Sequence, residues 1–231
     1  MELKSTTKSG LFITFEGLDG SGKTTQLRLA ADFLRQEGRT VSSFREPGAT
    51  LVGEKLREIL LDNGTKLGKI TELLLYEAAR AELVAREIRP RLNRGEIVLC
   101  DRFYDSTTAY QGYGRELDIG DILKLNAIAA ASLVPDLTLL YDLPLASAKS
   151  RREPQLDLLF EGTVINRTAL RDIGDEPDRL ESQSSKFFER VAKGFRQIAL
   201  AEPHRVKRID ATPSIEVVFS HTKRHIQSIL G

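Results

Sequence analysis

Gly17-Leu18-Asp19-Gly20-Ser21-Gly22-Lys23-Thr24 satisfies G-x-x-x-x-G-K-[ST]. The run Leu11-Phe12-Ile13-Thr14-Phe15 precedes it, and a helical pattern from about Lys23 to Gln36 follows. Strand, glycine turn and helix in that order are the setting in which this motif cradles phosphate. Its backbone N–H groups turn inward, and the helix N-terminus adds positive potential. Gly17 through Thr25 are therefore the expected triphosphate loop. Lys23 reaches the β- and γ-phosphates, and the Thr24 hydroxyl is placed for Mg²⁺.

Outward from the loop, strand and helix patterns alternate. Gly38 fits a helix C-cap, and Thr40 to Arg45 reads as a strand. Val52, Leu56, Ile59 and Leu60 form one helix face that stops at Asn63-Gly64. A long helix is expected over 71–92, bent or shortened by Pro90. Ile97-Val98-Leu99-Cys100 and Leu137 to Tyr141 read as buried strands, with a helix over 118–133 between them. Helices over 144–152 and 178–201 and a strand over 206–209 follow, with Thr212-Pro213 opening a last helix. Five strands joined by helices imply an α/β fold, a parallel sheet covered on both faces. The irregular stretch 153–177 reads as a surface insertion or lid. One domain over 11–231 is expected, with a flexible N-terminus at 1–10 and a lid at about 150–178.

Composition narrows the partners. Lys+Arg is 34 and Asp+Glu 33, a formal charge of +1, which excludes a generally basic nucleic-acid coat. A single cysteine excludes a disulfide framework and a multi-cysteine zinc site. No apolar run approaches the roughly 20 residues of a membrane span, and Met1 to Gly10 lack an apolar signal core. A cytoplasmic protein without nucleic-acid or membrane partners is expected.

The loop alone does not name the acceptor. A guanine-reading N-K-x-D segment is missing, which argues against a GTPase switch. Asp101 is followed by Arg102 and Phe103, not by the glutamate usual in ATP-driven motors. A small phosphoryl-transfer enzyme remains, and it needs a second anion site. Arg45-Glu46-Pro47-Gly48 and Asp101-Arg102 end two strands beside the loop, where open parallel sheets bind ligands.

These segments, with Phe15-Glu16-Gly17, Gly53-Glu54-Lys55-Leu56-Arg57, Ala109-Tyr110-Gln111-Gly112-Tyr113-Gly114-Arg115, Pro135-Asp136-Leu137-Thr138 and Asp178-Arg179-Leu180-Glu181, stand in one order. In that order the chain resembles the bacterial thymidylate kinases, P-loop nucleoside monophosphate kinases. The resemblance implies transfer of a phosphoryl group from ATP to thymidine monophosphate (dTMP), with Mg²⁺, by a homodimer.

It further implies roles residue by residue. Arg57 and Arg102 hold the 5′-phosphate. Tyr76 stacks on thymine, where Phe is usual, and Arg80 bonds its exocyclic oxygen. Ser106 and Thr107 line the acceptor, with Thr107 at the pyrimidine ring. Tyr110 and Gln111 lie along the sugar, and Tyr110 excludes a 2′-hydroxyl. Asp19 stands near the 3′-hydroxyl and the metal, and Glu46 and Asp101 act through Mg²⁺ or water. With Gly20 where some members have arginine, lid arginines take the catalytic role beside Lys23 and Arg102. Arg151 and Arg179 match the two ends of that lid. Ala49 stands where a second glycine is usual, which matters if that position needs φ > 0. Two other readings stay open: a kinase for another pyrimidine nucleoside monophosphate, and a P-loop regulator without turnover.

Overall fold

The computed structural model describes residues 10–150, 179–180 and 183–230. Five parallel strands form one sheet: β1 (Leu11–Gly17), β2 (Val41–Arg45), β3 (Ile97–Asp101), β4 (Leu137–Asp142) and β5 (Val206–Asp210). Their order is β2-β3-β1-β4-β5. β1, β3 and β4 are buried almost throughout, which is why they read as continuous apolar runs. Register pairs Phe15 with Asp101 and Glu16 with Leu140. β1 therefore runs two residues past the end of β3. Order reverses at β1, so the crevice beyond its carboxyl end is the expected ligand position.

Helices cover both faces: α1 (Lys23–Gln36), α2 (Leu51–Leu61), α3 (Lys69–Leu83), α4 (Arg89–Asn93), α5 (Tyr104–Thr107), α6 (Ile119–Ala129), α7 (Leu145–Ser150), α8 (Ser185–Ala201) and α9 (Ile215–Gln227). One apolar cluster packs α1, α8 and α9 on the sheet through Leu27, Leu34, Phe188, Val191 and Ile226. The other face is covered by Leu83, Ile88 and Phe103 against Phe12 and Phe44.

Several boundaries depart from the pattern in the sequence. The helix expected over 71–92 divides: a π-helical segment, Val84–Ile88, separates α3 from α4, and the Arg89 N–H bonds the Val84 carbonyl five residues back. Pro90 then stands in the first turn of α4, where its missing N–H costs nothing. Gly38 follows α1 with φ 75°, and the Arg39 N–H closes on the Leu34 carbonyl at 3.0 Å, as a C-cap requires. Of the helix expected over 178–201, the described helical residues begin at Ser185, capped by Ser184. The last helix opens at Ser214, not at Thr212-Pro213. The Asp210 carboxylate instead takes the Thr212 N–H and hydroxyl, at 2.9 and 2.8 Å. A helix that the pattern did not announce runs through α5 into a π-helical segment, Thr108–Gly114. Arg151 and the expected lid beyond Ser150, as far as residue 178, lie outside the described residues, as does all of the expected flexible N-terminus except Gly10.

Candidate active site

The loop between β1 and α1 is built for an anion. Gly22 stands at the N-cap of α1 with φ 85°, and no side chain caps the helix. Its first N–H groups therefore await another acceptor. Gly20 has φ 82°, and a Cβ there would lie 2.3 Å from the Ala148 carbonyl, so only glycine fits. The Ser21 hydroxyl is buried without a hydrogen-bond partner, a further polar group turned into the loop.

Asp19 joins the two sides of the crevice. Its Oδ1 accepts from Lys23 Nζ at 3.0 Å and from Arg102 Nη2 at 2.5 Å. Its Oδ2 accepts from the Tyr110 hydroxyl at 3.4 Å. Burial alone raises a carboxyl, but Arg102 and Lys23 hold Asp19 well below the usual carboxylate range. It stays ionised and keeps two cations that would otherwise repel each other.

Arg102 follows β3 with φ 69°, a left-handed backbone that arginine seldom adopts. Its N–H bonds the Phe15 carbonyl at 2.9 Å, and its Nη1 donates to the Gly17 carbonyl and Ser106 Oγ, each at 3.1 Å. The guanidinium also lies over the Tyr110 ring, 5.2 Å from its centroid. Burial pushes the Tyr110 phenol well above its usual range, so it remains a donor.

Thr24 Oγ1 donates to Asp101 Oδ2 at 2.5 Å. A hydroxyl and a carboxylate at the loop's edge are hard oxygen donors of the kind Mg²⁺ takes, few in number because phosphates and water complete its shell. Among the described residues no cluster of three or more His, Cys, Asp or Glu side chains forms a metal cage. The donor set thus fits a nucleotide-borne Mg²⁺. Glu46 follows β2, and its N–H reaches the Asp101 carbonyl at 2.9 Å. The carboxyl leaves Oε1 buried without a partner.

Glu46 Oε2 belongs to a second cluster around Arg80. That guanidinium is 1% exposed. Nε donates to Glu46 Oε2 (3.0 Å), Nη2 to Thr107 Oγ1 (2.8 Å), and Nη1 to Glu77 Oε2 (2.8 Å) and Asn126 Oδ1 (3.2 Å), while Nη2 is also ion-paired with Glu46 Oε2 at 2.8 Å. Four of its five N–H groups donate hydrogen bonds to the protein, and the Nη2 that carries the fifth is ion-paired with Glu46. Two carboxylates share this one cation. Burial, opposed by Arg80 and aided by Glu77, pushes the Glu46 carboxyl up to about 7. Tyr76 precedes Arg80 by one turn of α3 and is half-buried.

Arg57 Nη1 donates to the Pro47 carbonyl at 3.1 Å, at the loop after β2. That loop contains a cis Glu46–Pro47 bond, and Ala49 adopts φ 64°, so the position does require the left-handed region. Glu54 shapes the loop by accepting from Ala49 N at 2.6 Å and Arg45 Nη2 at 3.4 Å.

Gln111 and Arg179 meet Glu72 in the first turn of α3. Gln111 Nε2 donates to Glu72 Oε1 at 2.8 Å. Arg179 donates to Glu72 Oε2 at 2.5 Å and to the Leu60 carbonyl at 3.0 Å, and Arg115 shares the same carboxylate. Glu72 and Arg80 are eight residues apart on α3, about 12 Å along its axis. The structure therefore groups Lys23, Thr24, Asp19, Asp101, Arg102, Ser106 and Tyr110, sets Arg80, Thr107 and Glu46 beside them, and holds Arg179 with Glu72.

Sequence reasoning missed Glu77, Asn126 and Glu72, which carry no local signal because they meet their partners only in the fold. It also missed a cavity of about 570 Å³ beyond the ends of β4 and β5, lined by Asp142, Pro144, Arg196, Arg208, Asp210 and Thr212. The strand-end rule that found Arg102 would have found Asp142 and Asp210 too.

The family model for thymidylate kinase matches residues 15–222. The chain belongs to the thymidylate kinase family. It is an enzyme. It is 43% identical to the thymidylate kinase of Chlorobium luteolum over 210 residues, covering 90% of this chain and 92% of that one. With the thymidylate kinase of Geobacter sulfurreducens it shares 45% over 208 residues, again 90% and 92%. The crystal structure of thymidylate kinase from Ehrlichia chaffeensis superposes with a TM-score of 0.71 at 33% identity, over 95% of this chain and 99% of that one. The fold expected from the phosphate loop, five parallel strands between helices, is the fold of this family.

Proposed function

We propose that this chain transfers the γ-phosphoryl group of ATP to the 5′-phosphate of dTMP, giving dTDP for nucleotide biosynthesis. The observation that carries the reading is Asp19 bridging Lys23 of the phosphate loop and Arg102 at the end of β3. One cation belongs to the donor side and the other to the acceptor side, and the carboxylate fixes the interval between them.

Two anions must meet there. At about 4 Å two unit charges interact by about 1 kcal/mol in water and about 4 kcal/mol at an effective dielectric near 20. With several charges on each partner, the encounter needs fixed cations. Lys23 and the α1 N-terminus receive the triphosphate, and Arg102 and Arg57 receive the acceptor phosphate. Mg²⁺, held through Thr24 and Asp101, supplies further charge neutralisation when bound. Tyr76 stacks on the base, with Thr107 and the Arg80 cluster at its edge, and Tyr110 packs against the sugar. Gln111 completes this side through Glu72. The cavity beyond β4 and β5 takes the nucleoside of ATP. The protein's part is positioning and electrostatic stabilisation, with no covalent intermediate.

Residues 11–231 act as one domain, with a lid at about 150–178 that contributes Arg151, and Arg179 anchors its end. The protein works in the cytoplasm as a homodimer, without nucleic-acid or membrane partners. No described helix is long and apolar enough to cross a membrane. Support for the dimer comes from Leu74, Ala78, Ala81 and Ala85, which form an exposed apolar stripe along α3 and the following turn. Val52 and Ile59 of α2 and Leu123 of α6, on helices that pack against α3, are exposed as well.

A coupled assay of diphosphate formation with ATP and a panel of monophosphates tests the reading. dTMP is expected to be preferred over dUMP, UMP and dCMP. Preference for uridylate refutes the acceptor assignment, and absence of turnover with any of them leaves only nucleotide binding.

A further inference from the structure

Glu16 is fully buried on β1 immediately before the phosphate loop, and nothing above gives it a task. Its Oε1 accepts from the Phe103 N–H at 2.7 Å and the Ser106 N–H at 3.3 Å. Its Oε2 pairs with the Ser106 hydroxyl at 2.5 Å. On either side of it, the Phe15 carbonyl takes the Arg102 N–H and the Gly17 carbonyl takes Arg102 Nη1. Three consecutive residues of β1 thus grip Arg102 and the first turn of α5.

We propose that Glu16 is a positioning residue for Arg102, anchoring the turn that aims its guanidinium at the acceptor phosphate. The inference rests on Arg102 holding that phosphate. Arg102 sits in a left-handed backbone conformation, which persists only where the surroundings dictate it. Without the Glu16 carboxyl, the Phe103 N–H loses its acceptor, the Ser106 N–H keeps only the Phe103 carbonyl at 3.0 Å, and the Ser106 hydroxyl loses the partner that orients it toward Arg102. Because β1 also carries the phosphate loop, the same grip sets the distance between donor and acceptor sites.

The anchor also has a charge state. Arg102 at the end of β3, Asp105 and Ser106 on α5, Cys100 of β3 and Tyr110 of the π-helical segment surround it, and Arg205 neutralises Asp105 at 2.6 Å. Burial first, then Asp105, pushes the Glu16 carboxyl up to about 8, against the pull of Ser106, Arg102 and the Phe103 N–H. At neutral pH it carries a proton that it can donate to Ser106 Oγ. Above that range it ionises and draws on Arg102, opposing the phosphate.

Steady-state kinetics of Glu16→Leu and Glu16→Gln, with dTMP and ATP varied separately, test this. Glu16→Leu is expected to raise KM for dTMP about tenfold, the loss of one fixed contact, and to leave KM for ATP within about twofold. Glu16→Gln restores most of the loss, since its amide accepts both N–H groups and donates to Ser106. In the wild type KM for dTMP rises between about pH 7 and pH 9, and in Glu16→Gln it stays flat. Equal changes in both KM values, no change in either, or an alkaline rise retained in Glu16→Gln overturns the proposal. If Glu16→Leu fails to fold, the pH profile of Glu16→Gln decides. Arg102→Ala assayed alongside keeps the two ideas apart: an unchanged KM for dTMP there refutes the phosphate role of Arg102 itself.

Discussion

Replacing Arg102 separates its chemistry from its backbone. The guanidinium is 16% exposed and directs Nη1 and Nη2 along one edge, toward Gly17, Ser106 and Asp19. On a bound phosphate that edge makes two charge-assisted hydrogen bonds, each worth about 1.5–3 kcal/mol. Some of that is offset because Asp19 and Ser106 keep other partners, Lys23 and Glu16. A net loss of about 3–4 kcal/mol in Arg102→Ala corresponds to a fall of about 10²–10³-fold in kcat/KM for dTMP. Arg102→Gly should lose the same activity but melt higher. At φ 69° alanine keeps a left-handed cost of about 1–2 kcal/mol, and glycine sheds it. Glycine gives back about 0.4–1 kcal/mol through a freer unfolded chain. The remainder, about 1 kcal/mol, is about 2–4 °C in Tm for a chain of this size. Kinetics and calorimetry on both variants test the reasoning. Near-wild-type kcat/KM in Arg102→Ala refutes the acceptor-site assignment, and a lower Tm for glycine than for alanine refutes the strain.

Ala49→Gly should stabilise the fold for the same reason, by about 0.5–1 kcal/mol, since Ala49 holds φ 64°; calorimetry that finds it destabilised counts against the conformation. Glu46 is protonated up to about pH 7 when folded and ionises near its ordinary 4.5 when unfolded. The folded state therefore binds the extra proton, and stability falls as pH rises through that window. In Glu46→Gln, Tm measured from pH 5 to pH 7 should fall less steeply than in the wild type, with the share due to Glu16 remaining. Ala78→Arg on the exposed stripe of α3 should give a monomer in sedimentation equilibrium, with a cooperative melt retained; an unaltered mass excludes that face as the subunit contact.

Much of the framework was legible because it depends on local pattern. β1, β3 and β4 are buried on both faces and so read as apolar runs, and the glycines of 17–22 are needed for backbone positions no other residue fits. Residues 104–114 were not legible as a helix. Asp105, Ser106, Thr107 and Thr108 are weak helix formers, and a π-helical turn erases the 3.6-residue period. The placement of Gln111 and Arg179 on Glu72 was hidden for another reason: three side chains from distant segments meet at one carboxylate. The same holds for Glu77 and Asn126 at Arg80.

The protein acceptors around Arg80 bear on how a base would be chosen under the proposed role of this cluster. An arginine that is 1% exposed, with four N–H groups bonded to protein and an ion pair to Glu46, carries no shell of water to strip when a ligand arrives. A carbonyl oxygen approaching it must displace Thr107, Asn126 or a carboxylate, so binding becomes an exchange of acceptors with little change in their number. Exchange yields modest affinity from the contact itself. It penalises strongly any base that presents an amino group there, because that group displaces an acceptor and offers none in return. Discrimination at this edge would then appear in which monophosphates are refused more than in how tightly the accepted one is held.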